Sequence, residues 1–254
     1  MKLISKNIGC FLISCGFTLS LQSAVVMIDS ITPFSSSGSR LDLDSPVTQL
    51  TLGSQTVTNL VGPTTITGGA SGQSTFRGAG ESYSYPSLAN ALKGMNITTA
   101  AANAGTFQAF FGQTITDIDD AGVLADVFIT EIGTTTQSGD AFTVRAILAG
   151  TPGGSLTYGA TTKTVSGYAG IADGAAFTSL ARSGNPNTAF DVRGFGLDLS
   201  DDLGVTSLIG LEIGAGSVSD PNLILAVVIP EPGSIFLLLS ALSGFALLSI
   251  RKRP

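Results

Sequence analysis

The sequence predicts a mainly β protein, built as a single antiparallel β-sandwich with one short helix. Charged residues make up only 12% of the chain, whereas glycine occupies 32 of its 254 positions. Such a composition gives many turns and few of the Lys/Glu-rich surfaces that are typical of helical proteins. In addition, short segments rich in β-branched and aromatic residues recur between Gly, Asp, Ser and Pro, which is the pattern of a sandwich.

The segments predicted as strands are short and are bounded by Gly, Asp, Ser or Pro. In one of them, Phe142, Val144, Ala146 and Leu148 alternate with polar residues, so these apolar side chains should line one strand face and contact the core. We expect strands at 47–52, 56–61, 125–132, 141–150, 190–199, 205–213 and 223–229.

One short helix is predicted over residues 86–96. Pro86 suits the first helical position, Leu88, Leu92 and Met95 share one face, and Gly94 lies near the end.

Composition excludes several classes of function. The chain has no histidine, and its two cysteines, Cys10 and Cys15, both lie in an apolar N-terminal segment. A chain that loses this segment cannot form a Ser-His-Asp site, a Cys/His zinc site or a His-ligated haem, so no cofactor is expected. The formal net charge of −6 also argues against nucleic acid as a partner, because phosphate binding requires clustered Lys and Arg.

The N-terminus has the features of a signal peptide. Lys2 and Lys6 precede the apolar run 8–21, and small or polar residues follow, with Ala24 as the predicted cleavage point. We therefore expect Sec-type export, removal of residues 1–24 by a signal peptidase, and a domain over 25–228. A lipoprotein signal at Cys15 fits less well because the apolar run continues beyond it.

The C-terminus has the features of a membrane span. Residues 234–250 carry no charge, and seventeen helical residues reach about 25 Å, which is close to the minimum for a bilayer core. The cluster Arg251, Lys252 and Arg253 follows at once and predicts a cytoplasmic end. The sequence therefore predicts a transmembrane helix that anchors the protein in the inner membrane, at least transiently.

Just before this span lies the triplet Pro230, Glu231 and Pro232. The triplet, the apolar helix and the basic cluster together resemble the PEP-CTERM sorting signal of bacterial surface proteins, over residues 229–254. The resemblance implies that an exosortase removes the tail and that the protein reaches the cell surface or extracellular matrix. Residues 126–131 and 220–223 are also similar to segments of exosortase-dependent proteins with jelly-roll domains. The alternative is a single-pass anchor that is never cut.

Two groups of carboxylates are candidate calcium ligands, because calcium prefers several oxygen ligands on flexible loops. The first group is Asp117, Asp119 and Asp120. The second, at a predicted strand end, is Asp198, Asp201 and Asp202.

An EF-hand loop counted from Asp117 has Gly122 at its sixth position, as required. It has Phe128 at its twelfth position, where that motif needs a bidentate glutamate. A solvated turn is the alternative interpretation of these acidic residues.

These features together predict a non-enzymatic surface or matrix protein, with exopolysaccharide as a candidate partner. The alternative is a carbohydrate-binding or carbohydrate-active protein, for which Glu131 and Glu212 are candidate carboxylates. The chain lacks tryptophan, so tyrosines would have to supply any sugar-stacking surface. The tyrosines are Tyr83, Tyr85, Tyr158 and Tyr168.

Overall fold

The structure is a computed structural model, and it describes the greater part of the region between the two predicted signals. The described residues are 26–32, 46–69, 74–75, 77–78, 92–93, 95, 99–100, 105–119, 124–134, 140–167, 180–181, 190–216 and 221–228.

The described residues form seventeen β-strands. In chain order they are β1 (Val26–Met27), β2 (Ser30–Thr32), β3 (Gln49–Leu52), β4 (Gln55–Val57), β5 (Leu60–Val61), β6 (Thr65–Gly68), β7 (Ser74–Thr75), β8 (Arg77–Gly78), β9 (Thr99–Ala100), β10 (Thr106–Thr116), β11 (Val127–Thr134), β12 (Phe142–Gly150), β13 (Leu156–Val165), β14 (Leu180–Ala181), β15 (Phe190–Leu197), β16 (Ser207–Ala215) and β17 (Pro221–Val227).

Most of these strands belong to three antiparallel sheets. Sheet I has the strand order β1-β15-β11-β17-β5, and sheet II has the order β13-β12-β16-β10-β6. Sheet III is the three-stranded β2-β3-β4. Two further two-stranded pairs are β7 with β9 and β8 with β14. The predicted mainly β, antiparallel class is thus confirmed.

Sheets I and II share one hydrophobic core. Phe195 of β15 and Phe142 of β12 meet across it, with their ring centroids 6.1 Å apart. Alternate residues of the longer strands supply most of the rest of this core, as expected for two sheets that cover each other with one face.

The opposite face of sheet I packs against sheet III, so sheet I is buried on both sides. Every residue of β17 is buried, which explains why its sequence PNLILAV is nearly continuous in apolar residues rather than alternating. Glycines in β15 allow this close approach. A Cβ on Gly196 would lie 2.5 Å from the Cβ of Ala125 and 2.9 Å from Leu52.

The predicted strands are found with some corrections. The segment 56–61 is not one strand, because Asn59 adopts a left-handed φ of 55° and separates β4 in sheet III from β5 in sheet I. In β12 the predicted core face is correct from Phe142 to Ala146 and wrong for Leu148, which is 38% exposed. An irregularity in the pairing with β13 at Ile147 reverses the alternation and buries Ile147 instead.

The predicted helix over 86–96 lies largely outside the described residues. Of it the structure describes Leu92, Lys93 and Met95, and Leu92 contributes to the core between sheets I and II. Among the described residues, no helix is long and apolar enough to cross a membrane. The segments 1–24 and 229–254 lie outside the described residues.

Candidate functional site

Three aspartates from two separate segments of the sequence meet in the protein interior. Asp117 follows β10, Asp126 precedes β11, and Asp198 follows β15. Their side chains are buried, with 3%, 0% and 2% of each residue exposed. Each offers a carboxylate oxygen, and these oxygens all lie within 4.8 Å of one another. We call these three residues the acidic centre.

Strand pairing brings these residues together. The backbone N–H of Asp126 donates to Leu197 at 2.9 Å, at the end of β15 and next to Asp198. The carbonyl of Asp126 accepts from Val227 of β17 at 2.8 Å, so its backbone is held from both sides. Asp117 is fixed from sheet II, because its N–H donates to Thr206, just before β16, at 3.1 Å. The acidic centre therefore lies at one end of the interface between sheets I and II.

The Asp126 carboxylate joins the two neighbouring loops. Its Oδ1 accepts a hydrogen bond from the N–H of Ile118 at 3.0 Å, and its Oδ2 accepts one from the N–H of Leu199 at 3.0 Å. Both oxygens of this buried side chain thus have a backbone donor.

Within the part of the chain that the structure describes, Asp117 and Asp198 each have a donor for only one of their two oxygens. The Oδ1 of Asp117 accepts from the N–H of Asp119 at 3.1 Å, and the Oδ1 of Asp198 accepts from Ser200 Oγ at 2.8 Å and from the N–H of Asp201 at 2.7 Å. The Oδ2 atoms of Asp117 and Asp198, together with the Oδ1 of Asp119, are buried and have no hydrogen-bond partner among the described residues. Buried polar atoms normally have one, so these three oxygens require an explanation.

The carboxylates also repel one another. Burial is the largest cause that raises the pKa of Asp126, to about 7, and the charges of Asp117 and Asp198 add to the increase. Hydrogen bonds from Leu199 and Ile118 act in the opposite direction. The pKa of Asp198 is also raised, chiefly by burial and further by neighbouring carboxylates, with bonds from Asp201 and Ser200 lowering it.

The predicted calcium ligands occupy different positions in the structure. From the first group, Asp117 belongs to the acidic centre and Asp119 lies beside it, whereas Asp120 is outside the described residues. From the second group, Asp198 belongs to the centre and Asp201 is exposed.

Asp202, the last member of the second group, forms an ion pair. Its Oδ1 accepts from Lys163 Nζ at 2.7 Å, and its Oδ2 accepts from the N–H of Asp198 at 3.1 Å. Asp126 was not predicted, although a carboxylate inside the apolar segment ADVFITEI was a detectable signal for a buried charge.

An open groove of about 600 Å³ adjoins the acidic centre. Its lining includes Ser200, which donates to Asp198, and Thr206, which accepts from the backbone of Asp117. Solvent therefore reaches the residues that surround the buried oxygens.

A second polar arrangement crosses the outer face of sheet II. Each of the five strands contributes one partly exposed residue, and we call this set the polar row. Its members are Thr67 on β6, Gln108 on β10, Glu212 on β16, Arg145 on β12 and Tyr158 on β13.

Hydrogen bonds connect the polar row. The Oε2 of Glu212 accepts from Tyr158 OH at 2.8 Å and from Gln108 Nε2 at 3.1 Å, while Thr67 donates to Gln108 Oε1 at 2.9 Å. The guanidinium of Arg145 lies 4.7 Å from the centroid of the Tyr158 ring, within the range of a cation–π interaction.

Glu131 and Glu212, the candidate glycosidase carboxylates, are not brought together. Glu131 is buried in β11 of sheet I, and Glu212 lies on the outer face of sheet II, so the backbone of sheet II lies between them.

The predicted sorting residues lie outside the described residues. They are Pro230, Glu231 and Pro232 of the triplet and Arg251, Lys252 and Arg253 of the basic cluster. No family model, no curated protein and no solved structure matches the chain.

Proposed function

We propose that the protein is an exported, non-enzymatic component of the bacterial cell surface or extracellular matrix. In this proposal residues 1–24 direct Sec-type export, and residues 229–254 hold the chain in the inner membrane until an exosortase cuts near Pro230, Glu231 and Pro232. The observation that carries the proposal is the order of the tail: the Pro-Glu-Pro triplet, the uncharged segment 234–250, and then Arg251, Lys252 and Arg253.

The position of the last strand supports this proposal. β17 ends at Val227, three residues before Pro230. A cut at or after the triplet would therefore remove no residue from the described sheets, and the β domain could be released with its core intact.

We further propose that the domain is a jelly-roll sandwich. Eight strands support this assignment: β5-β17-β11-β15 in sheet I and β10-β16-β12-β13 in sheet II. In chain order these strands alternate between the two sheets except for the hairpin β12–β13, which is the order of two nested Greek keys. Jelly-roll domains often serve binding and structural roles, although the fold alone does not determine function.

Mass spectrometry of the protein from its native host tests the sorting proposal. We expect the intact mass and the C-terminal peptide from surface and medium fractions to end between Pro230 and Gly233, without the basic cluster. A variant with Ala at positions 230, 231 and 232 should keep the tail and stay in the membrane fraction, whereas Ser234→Ala, two residues after the triplet, should be processed as the natural chain is. A full tail on the natural chain in the membrane would establish a permanent anchor and overturn the sorting proposal.

Binding to exopolysaccharide is a second candidate function, and the polar row favours it. Sugars are bound through hydrogen bonds of their hydroxyl groups and through contacts with aromatic rings, and the polar row places Tyr158 among amide, carboxylate and guanidinium groups on one open sheet face.

Titration calorimetry with polysaccharide purified from the host tests this second function. Arg145→Ala should weaken binding, and Lys93→Ala, which removes an exposed positive charge elsewhere, should leave it unchanged. Equal binding by both variants would refute a role of the polar row. Release of reducing sugar that is lost in Glu212→Gln would instead establish a carbohydrate-active enzyme.

A further inference from the structure

We propose that the acidic centre binds one calcium ion, with the carboxylates of Asp117, Asp126 and Asp198 as ligands. This inference is independent of how the C-terminal tail is sorted, because it rests on the described sheets alone.

The separation of the oxygens fits a shared ion. Calcium–oxygen distances are about 2.4 Å, so two oxygens that bind the same ion lie at most about 4.8 Å apart. The carboxylate oxygens of Asp117, Asp126 and Asp198 all lie within 4.8 Å of one another. Asp117 and Asp126 lie at the two ends of the segment between β10 and β11, and Asp198 lies in the segment after β15, so the proximity of Asp198 to the other two is not a consequence of sequence adjacency.

The hydrogen bonds show which carboxylate oxygens of the acidic centre remain unpaired among the described residues. Among the described residues, the buried Oδ2 atoms of Asp117 and Asp198 have no hydrogen-bond partner, although each residue's Oδ1 accepts from backbone or hydroxyl donors. The buried Oδ1 of Asp119 also has no partner in the part of the chain that the structure describes. Buried carboxylate oxygens without a partner are unfavourable, and so is the repulsion between neighbouring carboxylates. A divalent cation would bind these oxygens and also balance their negative charge.

The nature of the ligands favours calcium over other metals. The acidic centre offers only oxygen atoms, which excludes the soft ligands that copper, zinc and iron–sulfur sites use. The donors to Oδ1 of Asp117 and Asp198 fix these carboxylates in place, and calcium accepts six to eight ligands in variable geometry. Magnesium demands a near-ideal octahedron. Water from the adjoining groove, which Ser200 and Thr206 line, can complete the coordination.

The position of the ion defines its effect. It would connect the loop after β10 of sheet II to the ends of β11 and β15 of sheet I, and so would hold the two layers together at one end of their shared core. The chain has no cysteine outside residues 10 and 15, so a disulfide cannot play this part in the β domain. Calcium would therefore increase the stability of the domain.

The test uses the full chain in detergent, stripped of divalent cations and then dialysed against calcium chloride. We expect elemental analysis to find one calcium per chain. Thermal unfolding followed by circular dichroism should shift upward by about 5–10 °C at a calcium concentration about 100 times the Kd. The same concentration of magnesium should give a clearly smaller shift.

Substitutions separate a ligand role from a general effect of charge. Asp117→Asn keeps an oxygen to accept the N–H of Asp119, and Asp198→Asn keeps one for Ser200 and Asp201. Both variants should lose the bound calcium and the thermal shift. Without calcium they should unfold at the same temperature as the natural chain or higher, because one repelling charge is gone. If Asp117 or Asp198 had a purely structural role, its substitution would lower the unfolding temperature both with and without calcium.

Asp201→Asn is the matched control, since it removes a carboxylate that is exposed on the same turn. It should keep the bound calcium and the full shift. The proposal is overturned if the natural chain takes up no calcium at millimolar concentrations, if both centre variants still bind it, or if the control loses it equally. Two centre variants on different loops keep the test decisive when one of them does not fold.

Discussion

The carboxylate of Asp126 accepts a hydrogen bond from the backbone N–H of Leu199 at 3.0 Å. Its second oxygen accepts one from the N–H of Ile118 at the same distance. One buried side chain therefore joins the residue after Asp117 to the residue after Asp198, and so connects the segment between β10 and β11 with the segment between β15 and β16. These two bonds hold the Asp126 side chain beside Asp117 and Asp198 in the acidic centre.

Replacing Asp126 with alanine should destabilise the protein substantially. The buried N–H of Leu199 and the part-buried N–H of Ile118 would both lose their acceptor, and each such loss costs roughly 1–3 kcal/mol. We expect the free energy of unfolding to fall by about 2–5 kcal/mol in urea titrations at pH 5. Asp201→Ala, on the exposed turn, should change it by less than about 0.5 kcal/mol. An equal effect of both substitutions would contradict the role given to Asp126.

The stability of the metal-free protein should depend on pH through Asp126. Its pKa in the folded chain is raised to about 7 from 3.8, so the folded state holds this proton more tightly than the unfolded state. The resulting stabilisation is complete below about pH 4 and is lost as the pH rises through 7. Between pH 4 and 8 the advantage of the natural chain over Asp126→Asn should shrink by on the order of 4 kcal/mol in urea titrations. A difference that stays constant with pH would rule out this titration.

The antiparallel β class could be predicted because the relevant signals are local. Alternation in FTVRA gave the core face of β12, and the apolar run LILAVV marked a strand that is buried on both faces. Two long strands were not predicted. β13, LTYGATTKTV, is at the edge of sheet II and buries only Gly159 and Val165, so it lacks apolar alternation. In β10 the alternation is interrupted by three consecutive buried residues, from Ala109 and Phe110 to Phe111.

The acidic centre could be predicted only in part, for a physical reason. Acidic residues that are close in sequence indicated two acidic loops. The order of strands in the sheets, however, decides which carboxylates meet. Asp201 is three residues from Asp198 and points to solvent, while Asp126 is distant in sequence and lies at the centre. Lys163, on β13, neutralises Asp202, and no pattern near Asp202 indicates this ion pair.

A methyl group at Gly196 should separate sheet III from sheet I. The new Cβ would lie 2.5 Å from the Cβ of Ala125 and 2.9 Å from Leu52, and neither neighbour can move freely in the core. We expect Gly196→Ala to lower the free energy of unfolding by about 1–3 kcal/mol, as overpacking usually does. Gly154→Ala is the control, because its Cβ would meet mainly the rotatable hydroxyl of the exposed Thr151. The close packing would be disproved if both variants unfolded at the same urea concentration.

Glu212 should control the ionisation of Tyr158. The pKa of Tyr158 is raised, first because its hydroxyl donates a hydrogen bond to Glu212 and then by partial burial and the negative charge of Glu212. Glu212→Gln removes that charge and weakens the bond, so the pKa of this tyrosine should fall, while Arg145 continues to favour the ionised ring oxygen. Absorbance at the tyrosinate band during a pH titration measures this change, and Tyr158→Phe identifies the transition that belongs to Tyr158. Thr143→Ala, on the exposed side of β12, should leave the transition in place. An unchanged midpoint in Glu212→Gln would mean that the hydrogen bond across sheet II does not persist in solution, and the polar row would then lose its connection between β13 and β16.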